Sequence, residues 1–228
     1  VSGGARAALF DMDGTLLWLE VDIEPVRAAL SELFAPAGFR ERFSPILPTI
    51  ERAAAAVGRS DSERRAWVRR GRGLIDAAEV QAAGRARPMP GAVAACGRLA
   101  GAIPCGLVTD NGRACVGAAL RGAGFSDQQF EQVVTRDDVA RSKPDPEGIV
   151  RAARALLPDG GTALWVGDSP RDVVAGHAAR DVLRAGSTPV ELDIVAVRGG
   201  RGADADLRAA APDRLAERLD DAVAGLIH

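Results

Sequence analysis

The chain has 228 residues, 47% of them apolar and 26% charged, and its 29 basic and 31 acidic side chains give a formal net charge of −2. This is ordinary globular composition, which argues against disorder, and it lacks the basic excess expected of a nucleic-acid binder. No run of about 18 apolar residues is present, so no membrane-spanning helix is expected. The chain opens with VSGGARAALF, which lacks the charged, apolar and cleavage segments of a signal peptide, so a soluble cytoplasmic protein is expected. Residues 7–10 form a short apolar run stopped by Asp11-Met12-Asp13-Gly14-Thr15, which reads as a buried strand entering a loop. Residues 19–87 hold no convincing strand. Helical patterns cover 26–34, 46–57, 63–70 and 74–83, with breaks expected at Pro36-Ala37-Gly38, Pro45, Gly58 and 71–73.

From residue 88 onward strands and helices alternate. Strands are expected at 105–108, 132–134, 163–166 and 194–197, and helices at 91–99, 113–122, 145–157, 170–179 and 214–226. Asp145-Pro146-Glu147 reads as N-cap, first helical residue and first-turn acid. The alternation implies an α/β fold: a Rossmann-like parallel sheet core with helices on both faces and an inserted all-helical domain. The expected boundaries are 1–18 and 88–228 for the core and 19–87 for the insertion.

Residue counts narrow the chemistry. The histidines are His177 and His228, too few for a His-rich metal site or a ready catalytic triad. Cys96, Cys105 and Cys115 are odd in number and form no CxxC, so they read as buried reduced thiols. Of the 29 basic residues only Lys143 is a lysine. In a parallel α/β sheet, function sits at the carboxyl ends of the strands. The strands here end in Asp11 and Asp13, in Thr109 and Asp110, and in Asp168, with Asp172 one turn later and Lys143 in the loop before the 145–157 helix. Converging carboxylates repel, by about 4 kcal/mol per pair at 4 Å and an effective dielectric near 20. A hard divalent cation with oxygen ligands, Mg²⁺ rather than zinc, would relieve that repulsion.

These residues resemble the four signatures of the haloacid dehalogenase-like (HAD) superfamily of phosphohydrolases, in its phosphoglycolate phosphatase/β-phosphoglucomutase-like group. DMDGT at 11–15, Thr109 after a strand, Lys143 in SKPDPE and GDSPRD at 167–172 occur in the family's order. The resemblance implies that Asp11 is the nucleophile and that Asp13 protonates the leaving group and then activates water. It implies that Mg²⁺ is held by Asp11, the Asp13 main-chain carbonyl and Asp168. Thr109 and Lys143 would bind the phosphoryl group, with Asp110 beside them, and Asp172 would steady Lys143. Residues 19–87 would be a C1 cap over the site. The substrate implied is a small soluble phosphomonoester. A phosphosugar mutase of the same superfamily, or a non-catalytic phosphate-binding module, is the alternative.

Plain structural roles compete with each assignment: turn-forming Asp11 and Asp13, N-capping Thr109 and Asp168, a first-turn Asp172, a surface Lys143 and a structural His177. Residues 19–87 contain no lysine, so the Schiff-base chemistry of phosphonate-cleaving relatives has no nucleophile there, and Asp13 argues against the metal-free dehalogenases. Three features depart from the family pattern: the apolar Leu17-Trp18-Leu19, Asp110 where Asn is usual, and Arg180 where a glycine is expected. Trp18 is expected at the cap hinge or pocket wall, and Asp110, if turned inward, needs an Arg partner. Residues 51–73 hold seven Arg against three acids. Arg65, Arg69 and Arg72 share a face if the helix continues past Gly71, so Arg65 and Arg69 are candidate contacts for an anionic part of the substrate. A solvated basic surface is the alternative.

Overall fold

A computed structural model describes residues 6–126 and 128–226; His228 and the first residues of the N-terminal run lie outside them. Strand β1 (Arg6–Phe10) alternates its side chains between two buried faces, Ala8 and Phe10 on one, Ala7 and Leu9 on the other. The chain then makes the two-residue strand β2 (Leu17–Trp18) and leaves the sheet layer for three helices, α1 (Ile23–Phe34), α2 (Ile46–Val57) and α3 (Asp61–Ala83). It returns through β3 (Arg87–Pro88), which pairs antiparallel with β2. The three helices enclose their own apolar cluster, in which Phe34 packs 5.4 Å from Phe43 and 5.1 Å from Trp67.

After α4 (Ala92–Leu99) the alternation runs β4 (Cys105–Val108), α5 (Arg113–Gly122), β5 (Gln132–Val134), α6 (Glu147–Leu156), β6 (Gly161–Gly167), α7 (Pro170–Arg184) and β7 (Val190–Val197). The chain closes with α8 (Asp204–Ala209), β8 (Arg214–Ala216) and α9 (Leu219–Val223). The six sheet strands are parallel in the order β5-β4-β1-β6-β7-β8, the expected Rossmann-like α/β arrangement. Helices α4, α5 and α9 bury one face of the sheet, and α6, α7 and α8 the other. Cys96, Cys105 and Cys115 are free and buried, as expected. Among the described residues no helix is long and apolar enough to cross a membrane.

Four of the differences from expectation have a clear physical reason. Residues 214–226 are a strand and a short helix, because Arg214–Ala216 pairs with the open edge of β7 and gains a backbone ladder that outweighs its weak β pattern. Residues 61–83 form one unbroken helix. Gly71 does not end it: a Cβ there would lie 2.9 Å from Ile50, so the missing side chain serves close packing of α3 on α2. Helix α7 runs through Arg180 to Arg184, and the Arg180 guanidinium donates to the Leu192 carbonyl at 2.8 Å and pairs with Asp213. Helix α6 begins one residue later than expected, at Glu147, whose N–H donates to Asp145 Oδ1 at 3.1 Å.

Candidate active site

The sheet register brings the expected residues together. Phe10 is level with Leu107 of β4 and Val166 of β6, so Asp11, Thr109 and Asp168 all leave the sheet at its carboxyl edge, where the connections diverge to either side of β1. Neighbouring strands fix their backbones: Asp11 N–H donates to Val166 O and Thr109 N–H to Val134 O, both at 2.9 Å. Gly14 turns the chain at φ +96°, and a Cβ there would fall 2.2 Å from the Asp168 carboxylate. Lys143 Nζ enters from the loop before α6 and donates to Asp11 Oδ1 and, at 2.6 Å, to Asp172 Oδ1. Asp11, Lys143, Asp168 and Asp172 are all less than a tenth exposed, which ends the reading of Lys143 as a surface residue. Besides its bond to Lys143, Asp172 closes a capping box with Ser169 at the start of α7.

One buried ammonium faces three buried carboxylates whose oxygens lie within 4.8 Å of one another. Burial, reinforced by Asp172 and Asp168, holds Asp11 well above the usual carboxylate range in spite of Lys143. Burial and the Asp172 charge push Asp168 up to about 6. Asp172 goes the other way: burial opposes its charge, but Lys143 and the donors of Ser169 hold it below the usual range. Those extra donors separate Asp172 from Asp11, although both touch the same ammonium. Burial also opposes the Lys143 charge, yet Asp11 and Asp172 hold its pKa well above the lysine norm. Ionised together, Asp11, Asp168 and Asp172 would carry more negative charge than the single Lys143 ammonium balances. An all-oxygen set with excess charge fits a hard divalent cation.

The remaining expected residues divide. The Asp13 carboxylate is not among the clustered oxygens; at the cavity wall it accepts from Leu19 N–H at 3.0 Å and from Arg201 Nη2 at 2.6 Å. Burial raises the Asp13 pKa against the pull of Arg201. Thr109 Oγ1 lies in the cavity wall and donates to Asn111 Oδ1 at 2.8 Å. The Asp110 carboxylate accepts from Lys143 N–H at 3.1 Å and pairs with Arg171 at 3.0 Å, the arginine partner it was expected to need. Its charge repels phosphate, so any direct contact would come from its backbone. Trp18 is not in the cavity wall; its ring lies 4.8 Å beneath the Arg201 guanidinium and so supports the group that holds Asp13. His177 contacts the Ala211 carbonyl at 3.0 Å, a structural role.

The cavity over Asp11 has a volume of about 270 Å³. Its far wall is Ile23, Ile46, Leu47 and Ile75 from the three inserted helices. Arg65 and Arg69 do share a face of the unbroken α3, but that face is exposed and neither residue lines the cavity. Arg72 is paired with Glu51 at 3.2 Å. The first half of α3 therefore turns its arginines to solvent, because Trp67, Val68 and Ile75 take the buried face. Sequence reasoning passed over Arg201, Glu79, Arg136 and Arg171, all in the cavity wall. Their only signal was being charged in a chain full of charges, and pairings over tens of residues of separation leave no local pattern.

The family model of haloacid dehalogenase-like hydrolases matches residues 5–180. Among curated proteins, phosphoglycolate phosphatase of Rhodospirillum rubrum is 32% identical over 190 residues, covering 76% of each chain. N-acetylmuramic acid 6-phosphate phosphatase of Pseudomonas aeruginosa is 32% identical over 180 residues, covering 76% of this chain and 78% of its own. Among solved structures, a haloacid dehalogenase-like family protein of Streptococcus pneumoniae superposes with a TM-score of 0.62 at 19% identity, covering 97% of this chain and 98% of its own.

Proposed function

The chain belongs to the haloacid dehalogenase-like hydrolases and, with phosphatases as relatives, is a phosphoric monoester hydrolase; from that premise we propose that it uses Mg²⁺ to hydrolyse a small soluble phosphomonoester through an aspartyl-phosphate on Asp11. The observation that carries this reading is the convergence of Asp11, Asp168 and Lys143 in one buried cluster at the mouth of a cavity. Asp11 Oδ2, the oxygen not taken by Lys143, attacks phosphorus in line, and the leaving alkoxide takes a proton from the Asp13 carboxyl. Asp13 then accepts a proton from the water that attacks the aspartyl-phosphate, releasing phosphate and restoring Asp11. Its raised pKa suits a group that must alternate between acid and base. Asp11, Asp168 and the Asp13 carbonyl would hold Mg²⁺, which would supply charge neutralisation between carboxylate and phosphoryl group. Lys143, fixed by Asp172, neutralises the phosphoryl oxygens, and Thr109 turns its hydroxyl proton toward them.

In the same proposal residues 19–87 are a cap over a core of 1–18 and 88–228, joined through the β2–β3 ribbon. Ile23, Ile46, Leu47 and Ile75 then exclude water from the reacting centre. Phosphate release from p-nitrophenyl phosphate with and without Mg²⁺, followed by a panel of phosphorylated metabolites, tests the reading. Metal-dependent release that falls by about 10⁴ or more in Asp11→Asn is expected. Release that is unaffected by Asp11→Asn, or turnover that needs a sugar bisphosphate and frees no phosphate, overturns it.

A further inference from the structure

Outside the carboxylate cluster, the most buried charges among the described residues join α3 to the sheet. Glu79 and Arg136 are 4% and 2% exposed. Arg136 sits just after β5 and meets Glu79 with two parallel bonds of 2.7 and 2.8 Å. The same two side chains also grip the three residues that follow Thr109. Arg136 Nη1 donates to the Asp110 carbonyl at 2.8 Å. Glu79 Oε2 accepts the Gly112 N–H at 2.9 Å, and Oε1 accepts from Asn111 Nδ2 at 3.1 Å. Asn111 in turn accepts the Thr109 hydroxyl at 2.8 Å, and its own N–H donates to that hydroxyl at 3.1 Å. Asp76 also pairs with Arg136 but makes none of these loop contacts.

An ion pair that only fastened α3 to the sheet would not need to satisfy loop donors as well. Here Glu79 uses both carboxylate oxygens twice, once for the arginine and once for the 111–112 backbone and side chain. Ile75, one helical turn earlier on α3, reaches the same cavity. We infer that Glu79 is a positioning residue for the phosphate site: with Arg136 as its counter-ion it holds the 110–112 loop, and through Asn111 the Thr109 hydroxyl, in the geometry that receives a phosphoryl group. The seating of α3 and the shape of the phosphate site are then one arrangement, although Glu79 touches no reacting atom. This inference rests on the phosphatase reading only in taking phosphate as the ligand of Thr109.

Calorimetric binding of inorganic phosphate in the presence of Mg²⁺, beside thermal melting, separates positioning from simple support. Glu79→Ala removes both loop acceptors and is expected to weaken phosphate by about fivefold or more. Glu79→Gln keeps one acceptor oxygen and is expected to lose less. Asp76→Ala removes an Arg136 partner and spares the loop, so its Tm falls while phosphate affinity holds. Unchanged phosphate affinity in folded Glu79→Ala overturns the inference. If that variant does not fold, equal phosphate affinities in Glu79→Gln and Asp76→Ala overturn it as well. A wild-type protein that binds no phosphate with Mg²⁺ and releases none from any ester sinks the phosphatase reading instead.

Discussion

Across one cavity the carboxyl edge of the sheet faces the wall of α1–α3, and the two sides are built differently. The sheet side is crowded with charge: Asp11, Asp168, Asp172 and Lys143 are buried within hydrogen-bonding reach or a few ångströms of one another. The helical side is aliphatic, and its one charged cavity residue, Glu79, is already matched to Arg136. Parallel strands in fixed register can hold several like charges at short range because the backbone ladder resists their repulsion. Helices packed by side chains alone do better to offer shape and apolar surface. Under the proposed function the difference divides chemistry from selection: substitutions on the sheet edge should act on turnover, and those on the outer face of α3 on nothing measured at the site.

The sharpest way to break this contrast is at Lys143. Lys143→Met leaves Asp11 and Asp172 buried without their cation. Loss of turnover together with a stability loss of about 3–5 kcal/mol, roughly 10 °C in Tm, is expected by assay and thermal melt. A variant of normal Tm would mean that the cluster is held by something other than its charges. Next comes Asp13→Asn, which spares the carbonyl proposed to hold Mg²⁺ but removes the proposed proton carrier. A fall of about 10²–10⁴ in kcat is expected, smallest for a p-nitrophenolate leaving group that needs no protonation.

A third measurement concerns pH. The folded-state pKa of Asp168 is raised to about 6 from 3.8, so its protonated form favours the fold. That contribution is complete below about pH 4 and is lost as pH rises through 6. If Asp168 holds Mg²⁺ as proposed, the cation must displace the same proton, so the Tm increment from Mg²⁺ should be larger at pH 7 than at pH 5. An increment independent of pH would place the cation elsewhere. The smallest effect belongs to Arg69→Ala: with an exposed side chain outside the cavity, KM and kcat should stay as in wild type and stability should move by less than about 0.5 kcal/mol. A raised KM would return that arginine to the substrate side of the comparison.

Much of the site was readable because its signals are local. Strands β1, β4 and β6 each hold an apolar run followed directly, or after one glycine, by Asp or Thr, and a βα turn places those residues at the carboxyl edge whatever lies between. The lone lysine stood out by composition, and Asp172 by its spacing of one helical turn from the strand end. The β8 pairing was hidden because Arg214-Leu215-Ala216 carries no β pattern and is a strand only beside β7. Gly71 looked like a helix break because sequence cannot tell a glycine that ends a helix from one that lets Ile50 approach. Asp13 was read as the leaving-group acid or as a turn-forming residue, and nothing near it in the sequence announces its side-chain partner. That partner, Arg201, is 188 residues away.

By itself, then, the sequence determined the α/β alternation, the all-helical span between the first two sheet strands, and which acids stand at strand ends. These follow from periodicity, turn residues and composition, all of which act over a few positions. Only the tertiary structure decided that the arginines of α3 face water, that aliphatic side chains roof the cavity, and that Glu79 and Arg136 clamp the loop beyond Thr109. Those outcomes are set by burial and charge pairing between segments far apart in the chain, where the partner that makes a buried charge tolerable is known only once both are in place.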